Sequence, residues 1–246
     1  MEEQIEKRLR ELSARSWNRG IPCFTDFLNL NEQAALQRIR RSLPQPEAAL
    51  FGGAEGCERV MAGFGLTEGE TEGFPIACLR VSPLSAKFAE DLSHRDLLGA
   101  LMSLGFDRSL VGDIVLRESC AWVFCAERIA DFICGGLTSV RRTSVRAERA
   151  EPPEGELFRL TQETVQVSSE RMDALVARVF RLSRGDAQSL FPAGRVFLDG
   201  AECPRPDAAP REGQVISVRG LGRFRYAGAA SQSRKGKWNV QVERYV

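Results

Sequence analysis

Residues 168–200 read SSERMDALVARVFRLSRGDAQSLFPAGRVFLDG, and after a proline-containing turn residues 213–225 read GQVISVRGLGRFR. Met172, Leu175, Val176, Val179 and Phe180 fall at i, i+3, i+4, i+7 and i+8, which is one apolar helix face. Ser183 opens a second helix: its side chain can cap, and Asp186 three residues on can bond back, an aspartate version of the capping box. Ala187, Leu190 and Phe191 continue the inner face until Pro192 and Gly194 stop it. A strand is expected at residues 195–198, a tight turn at Asp199-Gly200, and a further strand at residues 214–219. The stretch is therefore a compact two-helix unit followed by short strands.

Its polar residues are dominated by arginine. Arg184 and Gln188 lie four apart on one helix face, Arg178 and Arg181 sit near the join between the helices, and Arg195 opens the following strand. Arg219, Arg223 and Arg225 follow. Arginine suits bidentate phosphate contacts and stacking on bases, and the amides of a helix start at Ser183 suit an anion. Any one of these arginines is most simply a solvated surface group. The set, concentrated in one small module, is the footprint of a polyanion site.

Charge along the 246 residues agrees. Residues 1–156 carry 19 basic and 24 acidic side chains, whereas residues 157–246 carry 15 basic and 9 acidic, although the whole chain is only +1. The seven cysteines are scattered without CxxC spacing, and the single histidine, His94, completes no zinc finger. That usage implies reduced thiols in a cytoplasm, with no metal and no cofactor. The charged start MEEQIEKRLRELSAR has no apolar core, and no apolar run is long enough to span a bilayer.

Taken in order, residues 2–17 read as a charged helix with Ile5, Leu9 and Leu12 on one stripe. Asn31 is expected to cap a second helix that ends before Pro44 and Pro46. Residues 50–53 and 57–64 read as strands. Gly52-Gly53 is not a phosphate loop, because no Lys-Ser/Thr follows. Residues 66–73, LTEGETEG, read as a linker. From Phe74 the pattern is strand, helix from Ser93 with Asp96 in capping position, a hairpin at residues 113–126, helix 127–137 and strand 143–150. This β-α-β-β-α-β order is the ferredoxin-like arrangement. Trp122 and Phe124 share one strand face and could stack on bases. Val123 and Cys125 make the other face apolar as well, the pattern of a strand covered on both sides, which favours packing. EPPEG at residues 151–155 is the clearest linker. After residue 226, Arg234, Lys235 and Lys237 read as a flexible basic arm, and residues 239–246 as a returning edge strand.

The fold class is thus α+β. It comprises a mixed N-terminal domain at 1–73, a ferredoxin-like middle domain at 74–150, a linker at 151–156 and a basic C-terminal domain at 157–246. The last resembles the RNA-binding domain first seen in ribosomal protein S four, with its alpha-L helix pair. The resemblance rests on Arg171-Met172-Asp173, Leu182-Ser183-Arg184, Gly194-Arg195-Val196 and Gly213-Gln214-Val215-Ile216. Over nearly its full length the chain also resembles the bacterial YlmH family. The matching segments are Phe51-Gly52-Gly53 with Glu58-Arg59, the run from Phe88 through Ser93-His94-Arg95-Asp96 to Leu101, Gly112-Asp113-Ile114, and residues 217–223 with 234–237.

The resemblance implies a monomeric, non-catalytic factor that binds ribosomal RNA of the large subunit and tRNA. It would act beside other quality-control factors on subunits still holding a stalled peptidyl-tRNA. The RNA contacts would fall to Arg171, Arg178, Ser183, Arg184, Gln188, Arg195, Arg219, Arg223, Arg225, Arg234, Lys235 and Lys237, with His94 and Arg95 as a secondary contact. Asp186 departs from the lysine usual there, which removes one phosphate contact and shifts weight to Arg184, Arg195 and the arm.

Catalysis finds little support in the residues. His94 alone could move protons at neutral pH, and no Ser-His-Asp order or metal cluster is visible. Two rival readings are an RNA-modifying enzyme of pseudouridine synthase or methyltransferase type, and a protein-interaction adaptor using the acidic first half. The Gly-Arg-Leu-Asp setting of the former synthases and the glycine loop of the methyltransferases are both missing.

Overall fold

A computed structural model describes residues 2–85, 92–117, 120–153, 157–158, 160–233 and 236–245. The chain forms two compact units, Met1–Leu157 and Phe158–Val246.

The first unit begins with helix α1 (Glu2–Arg19), whose inner face carries Leu9, Ser13 and Ser16. Both buried serines are satisfied: Ser13 exchanges hydrogen bonds with the backbone of Gln45, and Ser16 donates to the carbonyls of Ile21 or Phe64. Strand β1 (Cys23–Phe24), helix α2 (Leu30–Ile39), β2 (Ala48–Phe51) and β3 (Met61–Phe64) follow. The strands form an antiparallel sheet in the order β1-β3-β2. Leu9, Leu28, Leu36, Ile39, Ala62 and Phe64 make its core. The cap of α2 is Asn29 in a complete capping box with Glu32, rather than Asn31, which donates its own N–H to the Asn29 side chain. The helix starts two residues earlier, its cap directly after Leu28, which forms an isolated bridge to Val60.

Next come β4 (Ile76–Pro83), α3 (His94–Ser103), β5 (Val111–Arg117), β6 (Cys120–Ala126), α4 (Ala130–Gly136), β7 (Ser139–Val140) and β8 (Thr143–Arg149). Ser93 and Asp96 form the expected capping box on α3. The sheet order is β5-β6-β4-β8-β7, and every named pairing is antiparallel. With the short β7 set aside, the second, third, first and fourth strands lie side by side, which is the ferredoxin-like arrangement read from the sequence.

Residues 1–73 and 74–150 pack together as parts of this one unit. Asp113 on β5 accepts the N–H groups of Glu58 and Arg59, at 2.6 and 3.1 Å. The Arg59 guanidinium, largely desolvated, donates to the carbonyls of Phe27, Val111 and Arg108. Gly53 lies so close to Phe124 that a Cβ would stand 2.3 Å from its ring, and one on Gly112 would stand 2.7 Å from Phe27. Asp26 bridges Arg8 and Arg128. Segments far apart in sequence (51–53, 58–59, 112–113) thus build a single internal joint. Phe124 is fully buried in it, as expected, but Trp122 is only half-buried.

The second unit contains β9 (Leu160–Val167), α5 (Met172–Val179), α6 (Arg184–Ser189), β10 (Val196–Leu198), β11 (Ala201–Glu202), β12 (Val215–Val218), β13 (Gly222–Gln232) and β14 (Trp238–Tyr245). Its six-stranded sheet has the order β11-β10-β12-β13-β14-β9. Met172, Leu175, Val176 and Val179 of α5 pack on Val165, Val167, Phe224, Tyr226, Val240 and Val242, the helix-facing side of the sheet. Asp199 and Gly200 both take positive φ, as a two-residue hairpin of the mirror-image type requires.

Two expectations change here. The stretch read as a flexible arm, residues 231–238, is held at both ends: Ser231 and Gln232 end β13, Trp238 opens β14, and the Ser233 N–H donates to the Lys237 carbonyl, while Arg234 and Lys235 lie outside the described residues. Residues 238–245 are not an edge strand, because β9 pairs along their whole length and takes the edge itself. The signal for β9 was present in the alternation Thr164-Val165-Gln166-Val167.

Candidate nucleic-acid interface

The helix pair of the second unit is organised by a buried charge. Asp173 has no exposed side-chain surface. Its carboxylate receives Nε and Nη2 of Arg171 at 3.1 and 3.3 Å and the Gln188 amide at 2.8 Å, with Nε of Arg184 at 3.6 Å. Burial on its own would raise the Asp173 pKa. The hydrogen bonds from Gln188 and Arg171, and the charges of Arg171 and Arg184, more than offset that and hold it below the usual aspartate value. One acidic residue thereby fixes three of the expected contact residues. Arg171 and Gln188 are engaged by it, while the Arg184 side chain stays 58% exposed.

A groove of about 790 Å³ runs between α5 and the outer strand β9. Arg178, Arg181 and Arg184 line one side, and Glu163, Thr164, Gln166 and Ser168 line the other. Arg181 lies at φ +55, just past the end of α5. Leu182 N–H bonds back to Ala177 and Arg181 N–H to Arg178, which makes this a Schellman ending with arginine where glycine is usual. The left-handed backbone costs an L-residue roughly 1–2 kcal/mol. The position therefore trades stability for a guanidinium at the groove. Arg181 lines this wall although it is not among the expected contact residues, whereas Thr164 and Gln166 of β9 bond across the sheet to Gln241 and Asn239.

Ser183 serves its helix: its hydroxyl accepts the Asp186 N–H at 3.1 Å and donates to the Asp186 carboxylate at 2.6 Å. Arg195 donates to the Arg219 carbonyl at 2.6 Å and accepts the Arg219 N–H, which places both at the turn between β12 and β13. Arg223 and Arg225 project from β13 on the sheet face away from the helices. Arg223 lies over the rings of Phe158 and Tyr245, at 4.8 and 4.2 Å. Arg225 contacts Glu243 and the Tyr245 hydroxyl, both at 3.3 Å. Lys237 is exposed at the hairpin turn, and Arg234 and Lys235 fall outside the described residues.

His94 and Arg95 lie in the first turn of α3, in the other unit. Partial desolvation, together with the nearby Arg108, lowers the His94 pKa. The Arg108 guanidinium is itself desolvated beside Arg59 and drops to about 10. Among the described residues, no helix is long and apolar enough to cross a membrane, and no group of His, Cys, Asp and Glu is placed to hold a metal ion.

Comparison with known proteins adds the following. Residues 70–154 match the family model described as "Putative RNA-binding domain in YlmH". The chain is 31% identical over 225 residues to the ribosome-associated protein quality control protein P2 of Bacillus subtilis, covering 89% of this chain and 86% of that protein. Among solved structures, the cell division protein ylmH from Streptococcus pneumoniae is similar at 21% identity and a TM-score of 0.48, over 60% of this chain and 90% of that one.

Proposed function

This chain belongs to the YlmH family, and we propose that it is a non-catalytic RNA-binding protein that associates as a monomer with the large ribosomal subunit. In this reading the second unit holds ribosomal RNA and tRNA on subunits blocked by a stalled peptidyl-tRNA, beside other quality-control factors. The observation that carries it is the groove in which Arg178, Arg181 and Arg184 converge on one wall. Three guanidiniums along an open groove suit the phosphates of a nucleic acid strand, and a small-molecule site would be more enclosed and more apolar. Arg195, Arg219 and Lys237 supply further charge on the same unit. The name of the Bacillus subtilis relative supports the ribosomal setting.

The test is co-sedimentation of the full-length protein with vacant large subunits and with large subunits carrying peptidyl-tRNA. The reading requires enrichment on the loaded subunits and its loss in an Arg178→Ala/Arg184→Ala variant. Absence of subunit association at moderate salt would overturn it.

A further inference from the structure

Resting on the RNA-binding reading above, we infer a second RNA contact in the first unit. It is a single-stranded site on the outer face of the ferredoxin-like sheet, where an unpaired base stacks on Trp122.

Register decides which residues share that face. Trp122 stands opposite Arg80 on one side and Val115 on the other, and Arg80 in turn stands opposite Glu148. One pleat further along, Arg117 faces Cys120, and Ser82 faces Arg146. Alternation puts Leu79, Val81, Ala121, Val123, Val145 and Ala147 on the opposite face, and all six are buried. Phe124 is on the Trp122 face too, but Gly53 covers it. The N-terminal segment therefore closes the Phe124 end and leaves the Trp122 end accessible: Arg80 and Arg146 are exposed, and the indole is half-buried.

The chemistry of this patch selects its partner. Among the described residues, Arg80 stands beside the indole and Arg117 and Arg146 share its face one pleat along, against the carboxylate of Glu148. A cationic rim around one large aromatic fits a nucleic acid strand, whose base stacks while its phosphates meet the arginines. A protein partner would call for a wider apolar centre. A duplex keeps its bases stacked on each other and offers none to an indole on a sheet. The family description names RNA for residues 70–154, and this patch supplies a face and a residue for it.

The test uses full-length protein carrying Trp17→Phe and Trp238→Phe, so that Trp122 is the sole indole. Its fluorescence is titrated with a single-stranded octaribonucleotide and, separately, with a duplex of the same sequence. The expected result is saturable quenching by the single strand and none by the duplex. Arg80→Ala/Arg146→Ala, which leaves the indole in place, should weaken that binding about tenfold. In otherwise unaltered protein, Trp122→Ala should lower single-strand affinity about tenfold, the order expected for losing one base–indole stack, with Trp122→Phe restoring much of it. Equal quenching by the duplex, or none by either RNA while the protein still sediments with subunits, would overturn the stacking site and leave the wider reading standing. Failure to sediment at all would instead count against the wider reading.

Discussion

Gln188 donates its side-chain amide to Oδ2 of Asp173 at 2.8 Å, tying the last turn of α6 to the first turn of α5. The same carboxylate takes both donors of the Arg171 fork. The angle between the two helices, and hence the position of Arg184 at the groove, depends on a charge with no exposed surface.

Replacing Asp173 by Asn keeps the shape and removes the charge. Hydrogen bonds to a charged group contribute about 1.5–3 kcal/mol, so Asp173→Asn should destabilise the second unit by about 2 kcal/mol, measurable by chemical denaturation. The pH dependence has a definite sign. The native pKa of Asp173 lies below its unfolded value, so its contribution is complete above the ordinary aspartate range and is lost as pH falls through the native pKa. In Asp173→Asn that part of the acid sensitivity should disappear. An unchanged acid transition would show that the buried charge carries none of it.

Arg184 and Arg225 should behave differently although both were expected to meet RNA. Arg184 lines the groove and is 58% exposed, whereas Arg225 contacts Glu243 and Tyr245 on the sheet. Each lost phosphate contact lowers the log-log salt slope of binding by roughly 0.7–0.9. Arg184→Ala should show that drop, Arg184→Ala/Arg195→Ala about twice as much, and Arg225→Ala little change. Affinity measured across a salt series separates them; a flat response to Arg184→Ala would move the RNA surface elsewhere.

Arg181→Gly should uncouple stability from binding. Glycine removes the left-handed penalty at the end of α5, so the second unit should gain on the order of 1 kcal/mol while RNA affinity falls. A variant that loses stability would show that the Arg181 side chain has a packing role outweighing its backbone strain.

Gly112→Ala should loosen the joint inside the first unit. Its Cβ would stand 2.7 Å from the Phe27 ring, and overpacking of this kind costs roughly 1–3 kcal/mol. Hydrogen exchange of the full-length protein should show faster opening in β3 and β5, with β13 and β14 unchanged. Equal protection in both units would show that the joint absorbs the methyl group.

The thiols of Cys78 and Cys125 should resist alkylation at neutral pH in the native protein. Burial pushes both up to about 12, and the thiolate is the reactive form. Mass spectrometry after a brief iodoacetamide pulse, with and without denaturant, gives the answer; native-state labelling of Cys125 would contradict its full burial.

The sequence by itself determined the local elements and their order. Period and caps are properties of a few neighbouring residues, so the Ser93–Asp96 box, the apolar face of α5, the Asp199-Gly200 turn and the β-α-β-β-α-β succession were all legible. So was the concentration of arginine after residue 157, which requires only counting. Tertiary structure alone decided which arginines line a groove and which are engaged elsewhere. Arg225 and Arg184 look alike in sequence, and their difference comes from Glu243 and Tyr245 on a neighbouring strand. It also decided that Trp122 and Phe124, two residues apart on one face, part company, because Gly53 arrives from about seventy residues away to cover one of them. Burial and pairing between distant segments are set by how the sheets close on each other, and no window of adjacent residues contains that information.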